Sequence, residues 1–179
     1  MLNISVIIPA YRAADTIYET LNSIFTQTYK PKEIIVILDG PDEATKQILL
    51  NKSWEHLLKI IEVRENIGVA HARNLGLSAS TGQYIAFCDA DDLWHPRKLE
   101  MQVADLGKGY KILGSAAVRF LGSWNISTFD NILQEGGDGY QIKMRDLITS
   151  NPFYFSSVIV WVGLIDNEKF DIYSPHEDY

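Results

Sequence analysis

Asp89, Asp91 and Asp92 stand within four positions of one another in the stretch FCDADDLWHP, directly after the apolar run YIAFC (84–88). Like charges this close repel unless something positive comes between them. Asp89 and Asp91 flank Ala90 in a D-x-D, and two carboxylates at that spacing can reach one hard divalent cation. Mg2+ or Mn2+ held in this way keeps its remaining positions for water and phosphate oxygens. The plainer alternative is a loop whose aspartates cap the helix that starts near Pro96, a role that suits Asp92.

Two more residues carry possible chemistry. Asp39 closes the apolar run IIVIL and precedes Gly40. A carboxylate only accepts hydrogen bonds, so it would pair with a base that presents a ring N–H: uracil, thymine or guanine. Its plain alternative is a turn residue. Arg73 lies in GVAHARNLG, where a guanidinium could contact phosphate oxygens or hold a metal-site carboxylate. An ordinary surface ion pair is the alternative there.

Other site types find no support. The chain has no G-x-x-x-x-G-K-[ST] and no G-x-G-x-x-G, which removes the usual phosphate loops. His56, His71, His95 and His176 lack the spacing of a zinc site, and no Ser-His-Asp arrangement stands out. The formal net charge of −7 argues against a nucleic-acid partner held by counterion release. It also matters locally, because a carboxylate pocket repels a diphosphate unless a cation lies between them.

These residues need elements to position them. ISVII (4–8), IIVIL (34–38), LLKIIEV (57–63) and YIAFC (84–88) are short apolar runs, the pattern of strands buried on both faces. Between them the period changes. Ile17, Leu21, Ile24, Phe25 and Thr28 mark one face of a helix, with Thr16 and Glu19 at capping-box spacing. A short helix is expected over 43–50, a third from Gly68 to near Gly82, and a fourth from Pro96 to about Leu106. Four strand–helix alternations predict an α/β fold with a mainly parallel sheet and helices on both faces. Ligands bind such sheets beyond the carboxyl ends of the strands. Pro9-Ala10-Tyr11, Asp39-Gly40, Arg64-Glu65-Asn66 and Asp89 to Asp92 all fall there. After Lys108, KILGSAAV (111–118) and FYFSSVIVW (153–161) read as strands. Residues 122–142 read as an irregular loop and 143–149 as a short helix.

The 179-residue length fits one domain with a sizeable core. Cys88, the single cysteine, excludes an internal disulfide framework and suits a reducing compartment. It reads as a small core hydrophobe. The N-terminus MLNISVIIPAYR reads as a strand and not as a signal peptide. No apolar run reaches the ~18 residues that would suggest a transmembrane segment. The N-x-S triplets at Asn51 and Asn125 therefore read as chance.

SVIIPAYRAADTIYETLNSIFTQTY, EIIVILDG and ENIGVAHARNLGLSASTGQYIAFCDADDLWHPRKL together resemble the inverting family 2 glycosyltransferases of the GT-A fold. NPFYFSSVIV and the closing His176-Glu177-Asp178-Tyr179 extend the resemblance more loosely. It implies a nucleotide pocket at Pro9, Ala10 and Tyr11, base recognition by Asp39, and a donor-side role for Arg73. It further implies a metal motif at Asp89 and Asp91 with Asp92 beside it, donor contacts at Asp89 and Ala90, and a Glu177-Asp178 pair whose Asp178 is the general base. Many members carry two acidic residues before the strand-two glycine, where this chain has Leu38 and then Asp39.

The expected reaction is metal-dependent transfer of a sugar from a nucleoside-diphosphate donor to a hydroxyl of a glycan or lipid-linked glycan, with inversion. UDP is the first choice, and dTDP and GDP are compatible with Asp39. Residues 1–106 would form the donor half. Residues 107–179 would begin an acceptor half whose remainder lies beyond Tyr179. A cytoplasmic location is expected, the inner face of a membrane included. Two rival readings are a nucleotide-binding module without turnover and a Mg2+-dependent phosphotransferase. The second would want its aspartate after the first strand, where Pro9-Ala10-Tyr11 stands.

Overall fold

The structure is a computed structural model that describes residues 2–50, 54, 56–115, 117, 154–165 and 170. Among the described residues six strands form one sheet: β1 (Ile4–Ala10), β2 (Glu33–Leu38), β3 (Leu58–Glu62), β4 (Tyr84–Phe87), β5 (Ile112–Leu113) and β6 (Ile159–Trp161). Their spatial order is β3-β2-β1-β4-β6-β5. β1 to β4 are parallel, and β6 runs antiparallel to both β4 and β5. The fold is thus the expected α/β class with a mixed, mostly parallel sheet. The helices are α1 (Ile17–Phe25), α2 (Glu43–Leu49), α3 (Val69–Ala79) and α4 (Lys98–Leu106).

The apolar runs form strands because both of their faces are covered. Ile4, Val6, Ile8 and Ala10 of β1 point to one side, where Ile17, Leu21 and Ile24 of α1, Leu49 of α2 and Leu99 and Leu106 of α4 pack. Ile7 points to the other side with Ile35, Ile37, Ile85 and Phe87, against Ala72 of α3. Each fully buried Ile contributes about 1.5–3 kcal/mol. α3 sits close to the sheet because Gly76 has no side chain. A Cβ there would meet Ile7 Cγ2 at 2.4 Å.

Several boundaries differ from expectation. Thr16 makes no capping hydrogen bond to α1, and its hydroxyl instead donates to Ala13 O at 3.4 Å. α4 starts at Lys98, two residues past Pro96, and no side chain caps it. Among the described residues of the expected fifth strand, Ile112–Leu113 is strand. Among the described residues of 153–161, Ile159–Trp161 is strand and Phe155–Ser157 is a 3-10 turn. Residues 122–142 and 143–149, Asn51, Asn125 and the Glu177-Asp178 pair lie outside the described residues.

Candidate functional site

The strand order sets where the site can form. The β1–β2–β3 series runs to one side of β1, and α3 then carries the chain back to β4 on the other side. Such a reversal opens a crevice beyond the carboxyl ends of the strands. A cleft of about 600 Å³ lies there. All four parallel strand ends line it: Pro9 to Ala13 after β1, Asp39 after β2, Asn66, Gly68 and Val69 after β3, and Asp89, Ala90 and Asp91 after β4.

Seven of the expected site residues therefore share one cleft: Pro9, Ala10, Tyr11, Asp39, Asp89, Ala90 and Asp91. Asp92 is not among its lining residues. Arg73 is not either. It is 1% exposed, and its Nη2 donates to Asp89 Oδ1 at 2.9 Å. Of the two options read from the sequence, this is the carboxylate-holding one. Asp178 is outside the described residues.

Asp39 is 3% exposed. Its two oxygens accept from the backbone N–H groups of Ile67, at 2.7 Å, and Gly68, at 3.1 Å. These donors stand just ahead of α3, where the helix dipole favours negative charge. Gly68 has φ +84 and Gly40 has φ +102, conformations that suit glycine. A Cβ on Gly40 would lie 3.1 Å from Asn66 N, so the β2 and β3 turns touch only because none is present. Each Asp39 oxygen retains a second lone pair for a ligand.

The turn after β1 carries a different feature. Arg12 has φ +51, the left-handed region, at a cost of about 1–2 kcal/mol for a residue with a side chain. Its guanidinium lies 5.1 Å from the centre of the Tyr11 ring. Thr45 accepts from Ala13 N–H at 3.1 Å and anchors this turn to α2.

α1 and the turn after it hold the aspartate loop. Thr20 Oγ1 donates to Ala90 O at 2.9 Å, and Ser23 Oγ accepts from Trp94 N–H at 3.1 Å. Gln27 Nε2 donates to His95 O at 2.7 Å, and its Oε1 accepts from Leu99 N–H at 3.0 Å. These three buried polar residues recur at helical spacing beside the apolar stripe. Polar residues repeating on a core-facing side are the signal in the sequence, and the hydrophobic pattern alone passes over it. Arg12, Asp15, Thr16, Asn66, Gly68 and Val69 also line the cleft without having been singled out as binding residues.

The cleft lining includes four carboxylates, Asp15, Asp39, Asp89 and Asp91, and one guanidinium, Arg12. Partial burial pushes the neighbouring Asp92 carboxyl above its ordinary range. The Ser156 hydroxyl pulls it partly back, and Asp89 and Asp91 push it further up. Among the described residues no three His, Cys, Asp or Glu side chains gather as a metal cage. Asp89 and Asp91 offer two hard oxygen donors. That set fits Mg2+ or Mn2+ shared with phosphate oxygens and water, which does not need an all-protein cage.

Comparison with known proteins agrees with this architecture. Residues 5–160 match glycosyl transferase family 2. Over 93% of its length the chain is 32% identical to an Escherichia coli protein, UDP-Glc:alpha-D-GlcNAc-diphosphoundecaprenol beta-1,3-glucosyltransferase WfgD, and spans 71% of it. The Bacillus subtilis putative teichuronic acid biosynthesis glycosyltransferase TuaG is 31% identical over 73% of the chain, which spans 57% of that protein. Among solved structures, S. aureus TarS 1-349 superposes with a TM-score of 0.76 at 23% identity, over 99% of this chain and 53% of TarS. The mannosyltransferase PcManGT from Pyrobaculum calidifontis, solved with GDP-Man and Mn2+, gives 0.71 at 22% identity, over 99% of this chain and 50% of its own. The chain thus spans about half the length of the TarS and PcManGT structures. With the family match running from β1 through most of β6, the chain belongs to glycosyl transferase family 2.

Proposed function

We propose that this chain binds the donor in a transferase that moves a sugar from a nucleoside diphosphate to an acceptor hydroxyl, with inversion. The observation that carries the reading is the meeting of Asp39, Asp89 and Asp91 in one cleft at the ends of β2 and β4. Asp39 would accept the ring N–H of the base through its remaining lone pairs. Tyr11, about half exposed at the cleft, would lie against the base. Asp89 and Asp91 would hold the cation, whose charge offsets the negative charge on the departing diphosphate.

UDP is the favoured nucleotide. The names of WfgD and WfaP of Escherichia coli specify UDP-Glc, and TarS has been solved with UDP and with UDP-GlcNAc. A lipid-linked glycan is the favoured acceptor, because WfgD's name specifies a diphosphoundecaprenol-linked sugar. Asp178 would take the proton of the acceptor hydroxyl as its oxygen attacks the anomeric carbon and the bond to the diphosphate breaks. No helix among the described residues is long and apolar enough to cross a membrane. A cytoplasmic site of action is part of the proposal.

The test is calorimetric titration of UDP with Mn2+ and again with EDTA. UDP should bind measurably only with the metal, because without it the Asp89 and Asp91 carboxylates would repel the diphosphate. Equal affinity in both titrations would remove Asp89 and Asp91 from cation binding.

A further inference from the structure

Asp89 is held at two points by parts of the chain distant in sequence. Arg73 Nη2 grips its side chain at 2.9 Å, and its backbone N–H donates to Ser156 Oγ, also at 2.9 Å. The Arg73 guanidinium lies 4.0 Å from the centre of the Phe155 ring and 5.7 Å from that of Phe170. Phe87, two residues before Asp89, meets both rings edge-on at 5.8 and 5.4 Å. Asn74, next to Arg73, exchanges two hydrogen bonds with the backbone of Phe170, at 2.9 and 3.2 Å. Phe155, Ser156 and Phe170 thus close around the Arg73–Asp89 pair from one side.

A buried guanidinium needs a reason. Arg73 is among the most buried side chains, and its Nε–H has no partner among the described residues. Burying a charge is costly, and an ion pair of this kind is weak evidence for stability, since apolar replacements of similar volume are often neutral. Arg73 does not line the cleft, whereas Asp89 does and has 36% of its side chain exposed. The pair therefore spends buried charge on one carboxylate at the cleft wall. Carboxylates that bind cations are oriented by such outer hydrogen bonds.

We propose that Arg73 is a positioning residue. Stacked on Phe155 and Phe170, it fixes the direction in which the Asp89 carboxylate faces the cleft. Phe155, Ser156 and Phe170 then organise the donor side of the site. This rests on the reading of Asp89 as a cation-binding residue.

The experiment compares wild type with Arg73→Gln and Phe155→Leu in the full chain. Phe155→Leu keeps the charge and most of the volume and removes the aromatic face. Calorimetry measures Mn2+ affinity with UDP present and, separately, uridine affinity without metal. Crystal structures of the variants give the Asp89 orientation. Mn2+ affinity should fall about 10–100-fold, the range for lost outer partners of metal ligands, with uridine affinity unchanged and the carboxylate turned from its wild-type direction. Unchanged Mn2+ affinity in both variants, or a parallel loss of Mn2+ and uridine affinity, overturns the proposal. Should wild type bind UDP equally without Mn2+, the cation reading fails by itself. The Asp89 orientation then still decides, and an unmoved carboxylate overturns the positioning role.

Discussion

At the scale of single residues, Asp39 has two duties that a substitution can separate. Its carboxylate accepts the N–H groups of Ile67 and Gly68 and also faces the cleft. Asp39→Asn puts an amide NH2 against one of those donors. The lost or unsatisfied bond should cost about 1–3 kcal/mol of stability, read as a lower thermal midpoint without ligand. UDP affinity should fall by a further 1–2 kcal/mol, roughly tenfold, as the charge-assisted bond to the base is lost. A lower midpoint with unchanged UDP affinity would leave Asp39 as a brace for α3 alone. The acidic residues were legible in the sequence because three carboxylates after a buried strand lack an easy structural excuse. Arg73 was legible only as two options. Nothing in GVAHARNLG reveals that Phe155 and Phe170, some 80 and 97 positions later by number, close over its guanidinium.

At the scale of elements, α1 and the turn that follows it act as the floor of the aspartate loop. Gln27 is fully buried and makes three hydrogen bonds, to Ser23 O at 3.1 Å, His95 O at 2.7 Å and Leu99 N–H at 3.0 Å. Gln27→Ala leaves the buried Leu99 N–H of α4 without a partner, while His95 O keeps the Lys98 N–H at 2.9 Å. We expect a loss of about 1–3 kcal/mol in urea denaturation with an unchanged m-value, the cost of one orphaned buried donor. A loss below about 0.5 kcal/mol, the usual surface value, would show that the loop holds itself. The four parallel strands and their helices were readable because continuous β-branched runs and the 3.6-residue stripe of α1 are local signals. Element ends were not, since tertiary contacts set them. The Thr16 hydroxyl turns back to Ala13, and Phe155–Ser157 leaves the extended conformation to close over Arg73. The antiparallel insertion of β6 beside β4 depends on a return of the chain that no local pattern announces.

At the scale of the whole molecule, the fold holds a basic side chain in its interior as well as carboxylates at the cleft. Lys98, at the start of α4, is 8% exposed and belongs to the buried side of that helix. Its Nζ donates to Gln102 Oε1 at 2.9 Å and lies 3.9 Å from the centre of the Trp94 ring. No carboxylate pairs with it among the described residues. Burial lowers its pKa to about 7. Cys88 itself, buried and facing Asp92, is pushed well above its ordinary value and stays protonated through the relevant range. The unfolded chain should hold the Lys98 proton up to about pH 10.4, whereas the folded chain releases it near 7. Between these values the unfolded state binds more protons, so stability rises with pH. The contribution is complete above the unfolded pKa and is lost as pH falls through the folded one. Lys98→Met keeps the apolar stem and removes the titration. Its free Gln102 oxygen costs a fixed amount at every pH. The stability of wild type relative to Lys98→Met should therefore climb from pH ~7 to pH ~9.5 by an amount on the order of a few kcal/mol. Denaturant melts of both proteins across that window measure it directly, and parallel pH curves would place the Lys98 amine in contact with water.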